Sequence, residues 1–257
     1  MITKDIHFNK AIDFKLCANN EPVTLKEDGY SQIISTISHE LRTPVATIKS
    51  NIQLLRKFSY YIDESILKES FLLCEDSVDD FARFLDNIQL LNSASKSKIY
   101  PVYTSFRTKR IIQHLYFRLA RKNLDCHRIL LQWNLKEPEI ISDKKYLGLI
   151  LFNILSNALK FSTEKIQLII STYNHELSIL VQDWGIGIAE EEIDMIFQPF
   201  YRSSNVKHIS GTGLGLAIVH ALVETLGGGI QVSSSIGKGT TIQINIPYVL
   251  PDEDTSN

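Results

Sequence analysis

Between Leu67 and Ile88, seven apolar residues (Leu67, Phe71, Cys74, Val78, Phe81, Leu85 and Ile88) recur at spacings of 4, 3, 4, 3, 4 and 3. A seam this regular belongs to a helix that must pack along its length against other helices. A second stripe precedes it: Ile34, Ile37, Leu41, Val45, Ile48, Ile52 and Leu55, spaced 3, 4, 4, 3, 4 and 3. A short polar connection near Ser59–Glu64 folds the two helices into an antiparallel hairpin. Two helices do not enclose a core alone, so a homodimeric four-helix bundle is the expectation. Packing of the hairpin on the remainder of its own chain is the alternative.

The character of the chain changes near residue 100. From about Leu25 to Ala94 there is one Pro and one Gly, whereas 11 of the 12 glycines follow Pro101. The polar stretch Asn92–Pro101 reads as a link between domains. The organisation expected is a short N-terminal segment at 1–24, a helical domain at 25–95, a linker at 96–101, a second domain at 102–250 and a polar tail at 251–257. Helices are expected at Ile111–Lys122, Lys144–Lys160, Glu190–Phe197 and Leu214–Leu226. Strands are expected at Ile129–Trp133, Lys165–Tyr173, Leu177–Asp183, Ile230–Ser234 and Thr240–Ile246. This is an α+β pattern, with a mixed sheet covered by helices on one face.

Charge and composition exclude several classes. Lys plus Arg is 27 against Asp plus Glu of 29, so neither nucleic acid nor an anionic lipid surface is indicated as the main partner. The longest apolar run, Leu147–Leu155, is interrupted by Asn153 and is far short of the ~20 residues of a membrane span. Three scattered cysteines, Cys17, Cys74 and Cys126, fit a reducing compartment. A cytoplasmic location is expected.

His39 lies about 150° from the middle of the first apolar stripe, so it points to solvent. Thr43, one turn on, shares its face. Glu40 is adjacent, and Pro44 interrupts the backbone hydrogen bonding of that turn. A neutral imidazole is nucleophilic near neutral pH, and a carboxylate beside it can orient the ring and take up developing charge. The string Ser38-His39-Glu40-Leu41-Arg42-Thr43-Pro44 resembles the phosphoacceptor motif of sensor histidine kinases at every position. The resemblance implies that His39 accepts a phosphoryl group, that Glu40 assists, and that Thr43 positions water for dephosphorylating a partner protein; the alternative for Thr43 is a helix-surface residue bonding back to its own carbonyls.

Four further strings follow in order. Asn153 and Asn157 stand one turn apart on a helix, with Lys160 three residues on; carboxamide oxygens suit Mg²⁺ and a lysine suits phosphate. Asp183-Trp184-Gly185-Ile186-Gly187 follows a strand and offers a carboxylate beside two backbone hinges. Ile196-Phe197-Gln198-Pro199-Phe200-Tyr201-Arg202 supplies aromatic anchors. Gly211-Thr212-Gly213-Leu214-Gly215 opens an apolar helix with bare N–H groups, a seat for phosphate that is neither a Rossmann nor a Walker A loop.

In this order the strings resemble the N, G1, F and G2 boxes of the histidine kinase catalytic domain. That domain is an α/β sandwich shared with gyrase B, heat-shock chaperones and mismatch-repair ATPases. Gly237-Lys238-Gly239-Thr240-Thr241 is similar to the same family. By this resemblance Asp183 reads adenine while Gly185 and Gly187 shape the pocket. Asn157 and Asn153 hold Mg²⁺ and Lys160 touches phosphate. Tyr201, Arg202, Gly211, Thr212, Gly213, Leu214, Gly215 and Thr240 complete the ATP set, with a mobile lid at about Arg202–Ser210. Ser210 stands where the family commonly has glycine, and Phe161 where it often has tyrosine. The implied activity is autophosphorylation of His39 by ATP and transfer to an aspartate of a response-regulator receiver domain. The alternatives are a protein acting mainly as a regulator phosphatase, or a nucleotide-binding scaffold. About 25 residues before the first helix are too few for a sensory domain. A separate sensor protein, or a longer chain of which this is part, would therefore supply the input.

Overall fold

The computed structural model describes residues 2–4, 27–58, 63–135, 139–206, 209 and 211–250. The chain divides into two compact units, one at residues 15–93 and the other at 94–257, which also takes the first strand.

The first unit is built on helix α1 (Glu27–Phe58) and helix α2 (Glu64–Ser95). The connection expected at Ser59–Glu64 falls largely outside the described residues. Helix α1 runs through Pro44, which cannot donate to the carbonyl four residues earlier. Side chains bond to the backbone along this helix: Thr43, Thr47 and Asn51 each donate to the carbonyl four residues back, at 3.1, 3.2 and 3.0 Å. Asp63 caps α2, its Oδ1 accepting the Ile66 N–H at 2.9 Å. The Cys74 thiol reaches the Ile48 carbonyl at 4.0 Å and links the two helices. Much of the apolar seam is nonetheless open. Phe71 and Val78 on α2, and Ile34 and Ile52 on α1, are each more than half exposed.

The second unit is the α+β body. Its large sheet runs in the order β1-β7-β8-β6-β5-β3, with β1 at Ile2–Lys4, β3 at Ile129–Asn134, β5 at Ile166–Tyr173, β6 at Glu176–Gln182, β7 at Gly229–Ser235 and β8 at Gly239–Pro247. Among the described residues only the β3–β5 pair is parallel, and helix α4 (Lys144–Phe161) lies between those two strands in sequence, as a parallel pair requires. Strands β5 and β6 meet in a hairpin whose turn residues, Asn174 and His175, both have positive φ, the type I′ signature. Alternate residues are buried: Ile166, Leu168 and Ile170 on β5, and Leu177, Ile179 and Val181 on β6. They pack in a core with helix α3 (Thr108–Arg121), α4 and helix α5 (Gly215–Thr225).

A small antiparallel pair, β2 (Thr104–Arg107) with β4 (Glu139–Ser142), precedes α4. The sequence pattern does not announce β1, β2 or β4, since strands of three or four residues are too short to display alternation. Asp143, 3% exposed, then caps α4. Its Oδ1 takes the Tyr146 N–H and its Oδ2 the Val102 N–H, at 2.9 and 2.7 Å. The far end of α4 is fixed by Arg128, whose guanidinium donates to the carbonyls of Leu159, Ser162 and Glu164. The helix expected at Glu190–Phe197 is instead a 3₁₀ turn at Glu190–Glu192 followed by further turns. Eight residues with three successive glutamates are too few for a stable α-helix, and burial of Ile193, Ile196 and Phe197 holds the tighter turns.

Candidate functional site

On α1, the His39 side chain is 73% exposed and its Nδ1 lies 3.6 Å from Glu40 Oε1. A carboxylate on that side favours the Nδ1–H tautomer and leaves the Nε2 lone pair facing outward. The face expected for His39 and Thr43 is therefore the solvent face. Thr43 itself is engaged, its hydroxyl donating to the His39 carbonyl at 3.1 Å.

In the second unit, segments distant in sequence are drawn together by close backbone approaches. Gly215, the first residue of α5, stands against the α4 amides. A Cβ there would lie 3.1 Å from Asn153 Oδ1 and 3.8 Å from Asn157 Nδ2. Asn153 Nδ2 donates to the Leu149 carbonyl at 2.9 Å, which turns its oxygen toward that gap. Asn153 presents an amide oxygen to this space, a donor suited to a hard cation such as Mg²⁺, while Asn157 presents its amide nitrogen there. Lys160, at the end of the same helix, is exposed.

Asp183 directly follows β6 and is 8% exposed. Its Oδ1 accepts the Gly185 N–H at 2.8 Å, and its backbone exchanges hydrogen bonds with Thr240 at 2.9 and 3.2 Å. Burial pushes its carboxyl above the ordinary range, while the Gly185 and Thr240 amides pull the other way. A built Cβ at Gly185 would come 2.2 Å from the Phe161 carbonyl, so this turn is closed against the end of α4. The β7–β8 turn closes on it from the other side, with Gly237 N–H donating to the Ile186 carbonyl at 2.7 Å.

The glycines of the fourth string are not equivalent. Gly213, at φ +71, lies so close to Phe200 that a Cβ would be 2.7 Å from the Phe200 carbonyl carbon, and the Phe200 N–H donates to the Gly213 carbonyl at 3.0 Å. Gly211 has nothing within 4 Å of a built Cβ. Thr212 Oγ1 accepts the Leu214 N–H at 3.2 Å, and Leu214 is fully buried at the start of α5. Tyr201 donates its hydroxyl to Glu192 Oε1 at 2.9 Å. Burial, then the Glu192 hydrogen bond and charge, push the Tyr201 phenol up to about 12. Arg202 donates to the carbonyls of Val206 and Ile209. Of the lid expected at about Arg202–Ser210, residues 207, 208 and 210 lie outside the described residues.

Sequence reasoning passed over Ser234, Glu192 and Arg128. Ser234 Oγ accepts the Ile188 N–H at 2.9 Å and lies 2.9 Å from both the Gly239 carbonyl and Thr240 Oγ1, joining the two turns around Asp183. Nothing in its strand pattern marks it, because its partners come from the loop at Ile188 and from the start of β8.

Residues 142–250 match the family of histidine kinase-, DNA gyrase B- and HSP90-like ATPases, and residues 30–95 match the histidine kinase A phosphoacceptor domain. The chain belongs to the two-component sensor histidine kinases. It is 32% identical to the autoinducer 2 sensor kinase/phosphatase LuxQ of Vibrio cholerae over 235 residues, covering 87% of this chain and 27% of that protein. With the sensor histidine kinase WalK of Bacillus subtilis it shares 31% identity over 233 residues, covering 87% of this chain and 37% of that one. The chain thus spans about a third of the length of these relatives. Among solved structures, the histidine kinase AdeS of Acinetobacter baumannii superposes with a TM-score of 0.58 at 25% identity, over 81% of this chain and 97% of that one. The expected fold, a helical hairpin followed by a histidine-kinase-type ATPase body, is the fold found. Among the described residues, no helix is long and apolar enough to cross a membrane.

Proposed function

We propose that this chain is an ATP-dependent protein-histidine kinase that phosphorylates itself on His39 and passes the group to an aspartate of a response-regulator receiver domain. The observation that carries the reading is the convergence of the Asn153 and Asn157 amides on Gly215 at the N-terminus of α5, with Asp183 buried at the start of a turn that closes on the end of α4 at Phe161. Positioning and charge neutralisation dominate phosphoryl transfer, and this site offers amides, backbone N–H groups and a helix N-terminus for both.

Asp183 accepts the adenine amino group, with Gly185, Gly187 and Thr240 framing the base. Gly211, Thr212, Gly213, Leu214 and Gly215 present backbone to the phosphates, while Lys160, Tyr201 and Arg202 complete the ATP contacts. Asn157 and Asn153 would hold Mg²⁺, which when bound neutralises phosphate charge. On α1, His39 is the nucleophile and Glu40 orients it. Thr43 shares that face, and a part in dephosphorylating the regulator requires its hydroxyl to turn away from the His39 carbonyl.

The exposed apolar seam of α1 and α2 supports a homodimer, in which two hairpins form one four-helix bundle. Free Cys74 and Cys126 and the use of ATP support a cytoplasmic setting.

Incubation of the protein with γ-labelled ATP and Mg²⁺ tests the kinase reading. The expected label survives alkali, is lost in acid, and falls at least about 100-fold in Asn157→Ala. Absence of label on a folded protein that binds ATP would refute autokinase activity.

Asp183→Asn separates binding from stability. Loss of the charged acceptor is expected to weaken ATP by about 10- to 100-fold, read by calorimetry. The sign for stability is opposite. A carboxyl whose folded pKa is raised costs stability above that pKa, and the cost vanishes below its unfolded value. Asn keeps the oxygen that accepts the Gly185 N–H and carries no charge. The nucleotide-free variant should therefore melt higher than wild type at pH 7, with the gap closing as pH falls below the unfolded carboxyl range. An equal or lower melting temperature at pH 7 would contradict the burial argument.

A further inference from the structure

Glu192 lies outside every string that points to nucleotide chemistry, yet its carboxylate is where the Tyr201–Ser203 segment is fastened. Oε1 accepts the Tyr201 hydroxyl at 2.9 Å, and Oε2 accepts the Ser203 hydroxyl. Ser203 is 9% exposed, so its hydroxyl depends on a protein partner. The two bonds flank Arg202 in sequence and act on opposite sides of its Cα.

The base that carries Glu192 is itself fixed. Its N–H donates to the Ala189 carbonyl at 3.0 Å, and its carbonyl accepts from Met195 and Ile196 at 2.9 and 3.1 Å. Directly after it, Ile193 is 1% exposed and Phe197 4% exposed. Upstream of Tyr201, the backbone is pinned once more by the Phe200–Gly213 hydrogen bond, with Phe200 held at φ +66. Past Ser203, Arg202 itself closes the next turn by donating to Val206 and Ile209. Glu192 is thus a fixed group outside this segment that two of its side chains, Tyr201 and Ser203, grip.

We propose that Glu192 is a positioning residue of the nucleotide site: its two carboxylate oxygens hold Tyr201 and Ser203, and thereby Arg202, in the conformation that meets ATP. The inference rests on the kinase reading, because it takes Tyr201 and Arg202 as nucleotide contacts. Glu192 itself touches no nucleotide.

The test combines two readouts. In nucleotide-free protein, Glu192→Ala should speed amide exchange across Tyr201–Val206 by at least about tenfold and leave Ile193–Phe197 unchanged. In autophosphorylation, it should raise the KM for ATP by about five- to tenfold with kcat within about twofold. Glu192→Gln keeps an acceptor oxygen for one hydroxyl and should recover most of the KM. Adding Ser203→Ala to Glu192→Ala should change the KM no further, because Ser203 acts only through its bond to Glu192.

Unchanged exchange across Tyr201–Val206 would overturn the proposal. So would faster exchange with an unmoved KM, which would leave Glu192 a structural anchor without effect on ATP. If Glu192→Ala does not fold, the Glu192→Gln and Ser203→Ala proteins decide by the same readouts. Failure of the wild type to bind ATP sinks the nucleotide reading and this proposal together. Wild-type binding with an unmoved KM sinks the proposal alone.

Discussion

A protein carrying His39→Gln incorporates no phosphoryl group, a loss of at least about 1000-fold, while its affinity for ATP stays within twofold of wild type. The two halves of this expectation come from separate parts of the chain. His39 stands 73% exposed on α1, in the helical unit, whereas every residue assigned to ATP lies in the other unit. Glutamine keeps a polar side chain of similar reach and fits the helix, so the substitution removes the nucleophile without disturbing the bundle. Its amide nitrogen has no lone pair available for attack.

The neighbouring carboxylate gives a graded companion. Glu40 Oε1 lies 3.6 Å from His39 Nδ1, close enough to bias the tautomer and to offset charge as the imidazole becomes phosphorylated. Glu40→Gln should therefore lower kcat by about 100-fold with the KM for ATP unchanged, because that interaction matures only in the transition state. Label remaining in His39→Gln would mean another acceptor and would remove His39 from the mechanism. A KM effect in Glu40→Gln of the same size as its kcat effect would place Glu40 at the nucleotide instead.

How much of this was legible beforehand depends on how far apart in sequence the interacting atoms are. The long helices show through because their seams repeat over many turns. Strands β5 to β8 show through because their buried face alternates over seven to nine residues. Strands β2 and β4 have four residues each and exist because they pair with one another, a fact no local window contains. The Glu190–Phe197 stretch misleads for the opposite reason: its composition suits a helix, and tertiary packing of Ile193 and Phe197 selects turns.

At the site, residues in contiguous strings could be named, since glycines and carboxamides at fixed offsets betray local geometry. Ser234, Glu192 and Arg128 could not. Each acts by offering a hydrogen-bonding group to a loop 9 to 46 residues away, and an isolated Ser, Glu or Arg carries no sign of that. Thr43 is the converse case: a threonine within a helix can bond back to its own carbonyls, a local contact legible from the sequence, and its hydroxyl does so.

The glycines give the sharpest contrast between what a string suggests and what the structure demands. Gly187→Ala should destabilise the ATPase unit by about 3–5 kcal/mol and abolish ATP binding, whereas Gly211→Ala should change neither appreciably. Two costs coincide at Gly187. Its φ is +68, a conformation that costs a residue with a Cβ about 1 kcal/mol or more. Its Cβ would also lie 1.9 Å from the Ser235 carbonyl oxygen and 2.6 Å from the carbon.

Neither neighbour can yield cheaply, because Ser235 belongs to β7 and pairs with Gly239 across the hairpin. Moving it would pull on the Ser234 hydroxyl that takes the Ile188 N–H, and on the Gly237 N–H that reaches Ile186. Those bonds hold the turn that begins at Asp183, so strain at Gly187 reaches the Asp183 carboxylate directly. At Gly211, by contrast, a methyl group meets nothing within 4 Å and the backbone is not left-handed. Thermal melts of the nucleotide-free proteins and ATP calorimetry read both variants. If Gly187→Ala melts with the wild type and binds ATP normally, the close approach of the two turns is not a feature of the folded protein. If Gly211→Ala loses ATP as Gly187→Ala does, the glycine at 211 is required by the bound phosphates rather than by the fold, and its role is set by the ligand.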